Sequence, residues 1–226
     1  MLVNADFSLR AAVTPRQYQW IASPQPGVER VMLDRVGGEK GRATSIVRYA
    51  PDSWFPRHQH RGGEEILVLS GTFSEGDTHY LAGWYLRSPP GSCHQPSSVE
   101  GAVIFVKLGQ MQPDESSTVR VDTRDVSRWT VRHGRECCTL FSDGIEHVSL
   151  DRIPAGAAVF GGPVEGAEML VVEGSLRELA QEYERGSWVR LPPGTYPDLV
   201  AGRCGACVYI KTGHLANLVS RAGASC

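Results

Sequence analysis

Two histidines one residue apart, His58 and His60, stand ahead of a carboxylate, Glu64, and a third histidine, His94, follows after about two strands' worth of chain. Imidazole nitrogen and carboxylate oxygen form the donor set of borderline divalent ions such as Zn, Fe(II), Mn or Ni. Residues i and i+2 of a strand face the same side, so one strand can aim both His58 and His60 at one point. Arg61-Gly62-Gly63 is turn chemistry, which lets the chain reverse and bring Glu64 back beside them. Pro89-Pro90-Gly91, just before His94, fixes the approach of the third imidazole. The four residues are candidate ligands of a single divalent transition metal.

Holding such a cluster calls for a scaffold of short strands and tight turns, and the chain reads that way. Strand-like runs at 28–33, 44–49, 66–69, 80–85 and 102–107 are separated by Gly37-Gly38, Glu75-Gly76-Asp77 and Pro89-Pro90-Gly91. The content of 25 glycines and 14 prolines suits frequent turns better than long helices. Residues 1–24 read as an N-terminal arm that runs into an extended loop, Trp20 to Gly27. A first domain covers 25–112, and 113–134 reads as a polar linker. A second domain covers 135–217, with a tail at 218–226.

The second domain repeats the first. A shift of 103 residues lays Pro51 on Pro154, Gly71 on Gly174, Gly83 on Gly186 and Pro89-Pro90-Gly91 on Pro192-Pro193-Gly194 without a gap. Glu65, Tyr80 and Arg87 likewise meet Glu168, Tyr183 and Arg190. Turn glycines and prolines persist where backbone geometry demands them, which marks a duplicated fold. At the same offset His58 becomes Gly161, His60 becomes Pro163, Glu64 becomes Ala167 and His94 becomes Pro197. Every candidate ligand is missing from the second copy, so one metal per chain is expected. The stretch 175–185 has helix-forming composition, but its counterpart is hairpin-like, and a hairpin is expected in both copies.

His-x-His-x3-Glu-x6-Gly followed by Gly-x5-Pro-x-Gly-x2-His resembles the paired motifs of the cupin superfamily. The resemblance implies an all-β protein, here two tandem cupin barrels of double-stranded β-helix or jelly-roll type, with a metal in the mouth of the first. Two positions depart from the pattern outside the ligands: Asp52 replaces a leading glycine and Ser98 a closing asparagine. Glu65 is the rival of Glu64. The Glu-x6-Gly count favours Glu64, and strand alternation then turns Glu65 away. The text 42–51 and 62–71 is similar to the cupin part of ChrR-type anti-sigma factors, which implies zinc and a sensing role. In that family sigma-factor binding belongs to a separate N-terminal helical domain with its own His/Cys zinc cluster. Residues 1–24 hold no histidine or cysteine, so direct sigma-factor binding is not expected of this chain.

At 226 residues the chain is long enough for two domains of about 100 residues each. With charged residues at 21% and a formal net charge of −2, it carries no electrostatic footprint for nucleic acid or an anionic membrane. The start of the chain lacks a basic region followed by an apolar core, and no apolar run reaches membrane-spanning length. A cytoplasmic protein with reduced thiols is expected, the six cysteines being too few for a disulfide framework. Cys204-Gly-Ala-Cys207 has redox-motif spacing but no βαβ setting, so it reads as a turn before a strand. Cys93 adjoins His94 and should point away from the metal. Phe55, Trp84 and Tyr85 flank the ligand segments and are candidates for lining a small-molecule pocket.

Three functional readings follow. The first is a metal-binding bicupin with a ChrR-like sensor or regulatory role, zinc being favoured. The second is an Fe(II)-dependent dioxygenase; several cupin families resembling this one cleave diketone-like or phenolic ketone substrates. The third is an interaction module with a structural ion. Exposed barrel edges and the N-terminal arm make a homodimer the expected assembly.

Overall fold

The computed structural model describes residues 1–38 and 41–216, so the tail expected at 218–226 lies outside the described residues. The regular structure is almost entirely antiparallel strand. The chain divides into two compact units, Met1–Ala5 with Gln19–Arg124, and Asp6–Tyr18 with Asp125 onward.

In the first unit the main sheet runs in the order Leu2–Val3, Val28–Val36, Arg42–Tyr49, Ala102–Leu108, Glu64–Glu75, Trp84–Ser88, Val119–Asp122. The long strand Glu64–Glu75 serves two sheets. Its first part pairs with Ala102–Leu108 and Trp84–Ser88, while its far end pairs with Thr78–Leu81 and Pro96–Ser98. Gly71, at φ 69°, marks the passage, and a Cβ there would lie 2.0 Å from the carbonyl oxygen of Gly101. Only glycine tolerates both the left-handed backbone and that approach. The second unit uses the same device at Gly174, also at φ 69°, against Gly205. Its order is Trp129–Arg132, Arg135–Ser142, His147–Ile153, Leu199–Thr212, Val164–Glu178, Trp188–Gly194, Ala11–Val13. The duplication read from the turn residues is a duplication of strand geometry.

Alternation sorts the side chains. Ile66, Val68, Leu86, Ile104 and Val106 point inward with Val28 and Phe73 to form the core of the first barrel. Leu67, Tyr85 and Phe105, paired with one another across the sheet, occupy the opposite face and are buried as well. Burying each such side chain contributes about 1.5–3 kcal/mol. Met169, Val171, Leu176, Val189, Leu191 and Val208 do the same work in the second barrel.

Two stretches read as connections are structured. The arm 1–24 splits: Leu2–Val3 and Ile21–Ala22 pair with Val28–Val36, whereas Ala11–Val13 pairs with Trp188–Gly194. The linker 113–134 holds Val119–Asp122, which extends the main sheet of the first unit, and Trp129–Arg132, which opens the sheet of the second. Polar, short edge strands carry little hydrophobic periodicity, so their pairing becomes visible only when the neighbouring edge is in place. The stretch 175–185 is a hairpin, with Ser175 opposite Glu184 and Glu178 opposite Gln181. There, cross-strand pairing overrides helix propensity.

Candidate metal centre

Four side chains converge in the mouth of the first barrel. His58–His60 pairs with Ser92–His94 as a two-stranded ribbon in which His94 sits directly opposite His58 and Ser92 opposite His60. Alternation puts all three imidazoles on one face of that ribbon. The ring centroids of His58, His60 and His94 form a triangle with sides of 4.6, 4.8 and 4.8 Å. Glu64 starts the next strand after a turn at Gly63, φ 75°, and its Oε2 lies 3.4 Å from Nε2 of both His60 and His94. Gly62 is held against Gly109, where a Cβ would come within 2.7 Å of the Gly109 Cα. The glycines that let the chain reverse therefore also let it pack against the barrel rim.

The donors are aimed by their hydrogen bonds. Nδ1 of His58 is 2.7 Å from the carbonyl oxygen of Pro56, and since a carbonyl only accepts, the proton sits on Nδ1 and the lone pair on Nε2. Nδ1 of His94 is 2.5 Å from Oε1 of Glu75, which fixes the same tautomer. Nε2 of His94 approaches Nε2 of His60 to 2.8 Å, and one ring nitrogen from each of His58, His60 and His94 lies within 4.8 Å of the others. Burial, then the neighbouring imidazoles of His94 and His58, push His60 down to about 3, so it stands as the neutral ring that ligates metals. Burial also lowers His58. Burial raises the Glu64 carboxyl to about 7 despite the His94 ring and Arg120 nearby. A carboxylate withdrawn from water beside keyed imidazoles is a site that gains from a cation, so the donor set fits a divalent transition ion.

Glu75 is a candidate site residue that sequence reading missed. Burial works against its charge, yet the hydrogen bond from His94 and the Arg120 guanidinium hold its carboxyl below the usual range. Its Oε2 is 3.3 Å from Nη2 of Arg120. Burial would lower His94, but Glu64 and Glu75 together carry it above its ordinary value. In the sequence Glu75 belongs to a turn signal, and nothing local distinguishes it from a solvated hairpin carboxylate. Glu65 turns away from the cluster, as alternation requires, and its Oε2 meets Nη1 of buried Arg87 at 2.7 Å.

A cavity of ≈ 360 Å³ opens directly on His58, His60, Glu64 and His94 and is walled by apolar groups such as Val47, Ile104 and Val106. A smaller one of ≈ 180 Å³, lined by Glu75, Ser88 and Arg120, reaches His60, Glu64 and His94 as well. Of the three aromatic residues expected at a pocket, Phe55 lines the larger cavity, edge-on to His58 at 5.1 Å. Trp84 instead packs on the barrel core against Tyr80 at 5.4 Å, and Tyr85 is fully buried on the opposite face of the sheet. The strand Trp84–Ser88 lies in the body of the barrel, so flanking a ligand in sequence does not put these rings beside the ligand in space.

The remaining sulfur chemistry is quiet. Cys204 and Cys207 lie within one strand, Leu199–Thr212, and burial pushes the Cys207 thiol up to about 12. Cys93 is exposed, opposite Gln59 rather than a ligand. Among the described residues no helix is long and apolar enough to cross a membrane.

Residues 8–112 match the ChrR Cupin-like domain. A comparison with curated proteins gave no match. Among solved structures, a candidate dioxygenase from Nostoc punctiforme superposes with a TM-score of 0.70 at 14% identity, over 96% of this chain and 83% of that one. Ylba from Escherichia coli superposes with a TM-score of 0.65 at 16% identity, over 92% and 93%. The nickel(II) complex of the bacterial pirin YhhW, also from Escherichia coli, gives 0.63 at 9% identity, over 90% and 98%. At such identities the likeness carries the fold alone. The chain thus has the cupin fold in two tandem barrels, and its residues 8–112 are similar to the ChrR Cupin-like domain.

Proposed function

We propose that the first barrel is a non-haem oxygenase site that takes one Fe(II) and a small organic substrate. The observation that carries this reading is the apolar cavity of ≈ 360 Å³ opening on the same four donors. A structural ion needs a closed shell, whereas three imidazoles and one carboxylate leave positions open on a five- or six-coordinate ion. Fe(II) at such positions supplies the chemistry of binding a chelating substrate and dioxygen together. The protein's own share is to orient and exclude water. His58 and His94 keep their Nε2 lone pairs inward through Pro56 and Glu75, while Val47, Phe55, Ile104 and Val106 give the substrate a dry wall. Carbon–carbon cleavage of diketone-like substrates is the reaction class this supports. Zinc, which the ChrR likeness favours, has no redox capacity and would not serve it.

Protein purified without air, chelator or added metal should contain stoichiometric iron. It should take up one dioxygen per molecule of diketone consumed. The match to the ChrR Cupin-like domain favours a second reading, in which the same cavity binds a signal molecule beside zinc. Tightly held zinc and no oxygen uptake with small diketones would sink the first reading in favour of the second.

A further inference from the structure

The strand Val28–Val36 presents a residue to the cavity that simple alternation would not. Val28 and Arg30 line the cavity, so regular alternation would next bring Met32 and Asp34 inward. A bulge between Met32 and Asp34 shifts the register by one, and Arg35, opposite Ala43, takes the inward place. The consequence is a change of sign, with a guanidinium facing the cavity where an unbulged strand would put a carboxylate.

Arg35 is 2% exposed, and its Nη1 is anchored 2.8 Å from the carbonyl oxygen of Gly38, so it is held at the mouth and does not trail into solvent. Arg35, Ala43, Leu108 and Glu64 form one continuous row of cross-strand partners. Three strand spacings separate the arginine from the candidate metal ligand, ~14 Å along the sheet backbone. Leu108, between them, lines the cavity. Among the described residues lining the cavity, the other cations are Arg30 and Arg61, and Glu64 is the sole acid.

From this arrangement we infer that the cavity takes a small organic anion, with a carboxylate on Arg35 and Arg30 and a short apolar body reaching to the metal. A guanidinium fork matches a carboxylate, and a low-dielectric wall makes the pairing selective. The inference deepens the proposed function and rests on the metal lying among His58, His60, Glu64 and His94. It is independent of whether that metal activates oxygen.

Calorimetric titration of the metal-loaded protein with short 3-oxo acids and with their methyl esters tests it. The acids should bind about tenfold or more tightly than the esters. In Arg35→Met and in Arg30→Met, each checked for metal content, the acid should weaken by about tenfold while the ester is unchanged. Esters binding as well as acids, or an acid preference that survives in both variants, would overturn the inference. Should Arg35→Met fail to fold, Arg30→Met and the acid–ester comparison on the native protein still decide. Acid-selective binding without oxygen uptake would leave this inference standing and remove the oxygenase reading. Oxygen uptake with neutral diketones and no acid preference would do the reverse.

Discussion

The two barrels share a scaffold and differ where chemistry would occur. Glu65 opposite Arg87 and Lys107 in the first barrel has its counterpart in Glu168 opposite Arg190 and Lys211 in the second, and all six are buried. Both barrels bend their long strand at a glycine with φ 69°. The ribbon His58–His60 with Ser92–His94 has no strand at the corresponding 161–163 and 195–197. Pro163 and Pro197, lacking an amide hydrogen, could not donate to such a ribbon. In its place Phe160 and Tyr196 pack on the second core. The comparison separates two kinds of buried polar residue. The Glu–Arg–Lys row is common to both barrels, and the His–Glu cluster is confined to the first.

Breaking the cluster makes the first barrel resemble the second. His60→Ala should lose metal affinity by ~100-fold or more while the barrel stays folded, since a ligand-free copy of the fold already exists in the same chain. Elemental analysis beside circular dichroism checks this; full metal occupancy would show that the ligand set is wrong. Breaking the shared row should hurt stability in both barrels. Arg87→Ala and Arg190→Ala each leave a buried charge network short of a cation and should each cost about 3–5 kcal/mol in urea unfolding. A loss in one barrel alone would argue against a common scaffold role.

Glu75→Gln should keep the fold but weaken metal binding by ~10–100-fold, measured by competition with a chromogenic chelator, because His94 loses its charged orienter. No change would reduce Glu75 to a surface carboxylate. The smallest effect concerns the thiols. At pH 8, with burial raising Cys137 to about 11 and Cys207 to about 12, the thiolate fraction of both is small. Mass spectrometry after iodoacetamide should find, among the cysteines of the described residues, the exposed Cys93 and Cys204 alkylated first. Fast alkylation of Cys207 would contradict the packed strand in which it sits.

The sequence alone determined the donor types, their spacing and the duplication, because turns that need left-handed backbone or a fixed φ leave glycine and proline at set positions. The Glu-x6-Gly count favoured Glu64 over Glu65, and residue alternation then turned Glu65 away. The hydrogen bond from His94 to Glu75, the pairing of Ala11–Val13 with Trp188–Gly194 and the inward turn of Arg35 were decided by the tertiary structure. The same holds for Trp84 and Tyr85, whose nearness to the ligands in sequence did not place them in the cavity. Each of these joins segments far apart in the chain or depends on a one-residue bulge. Pairing across a sheet and register within it are set by the partner strand, which local sequence does not encode.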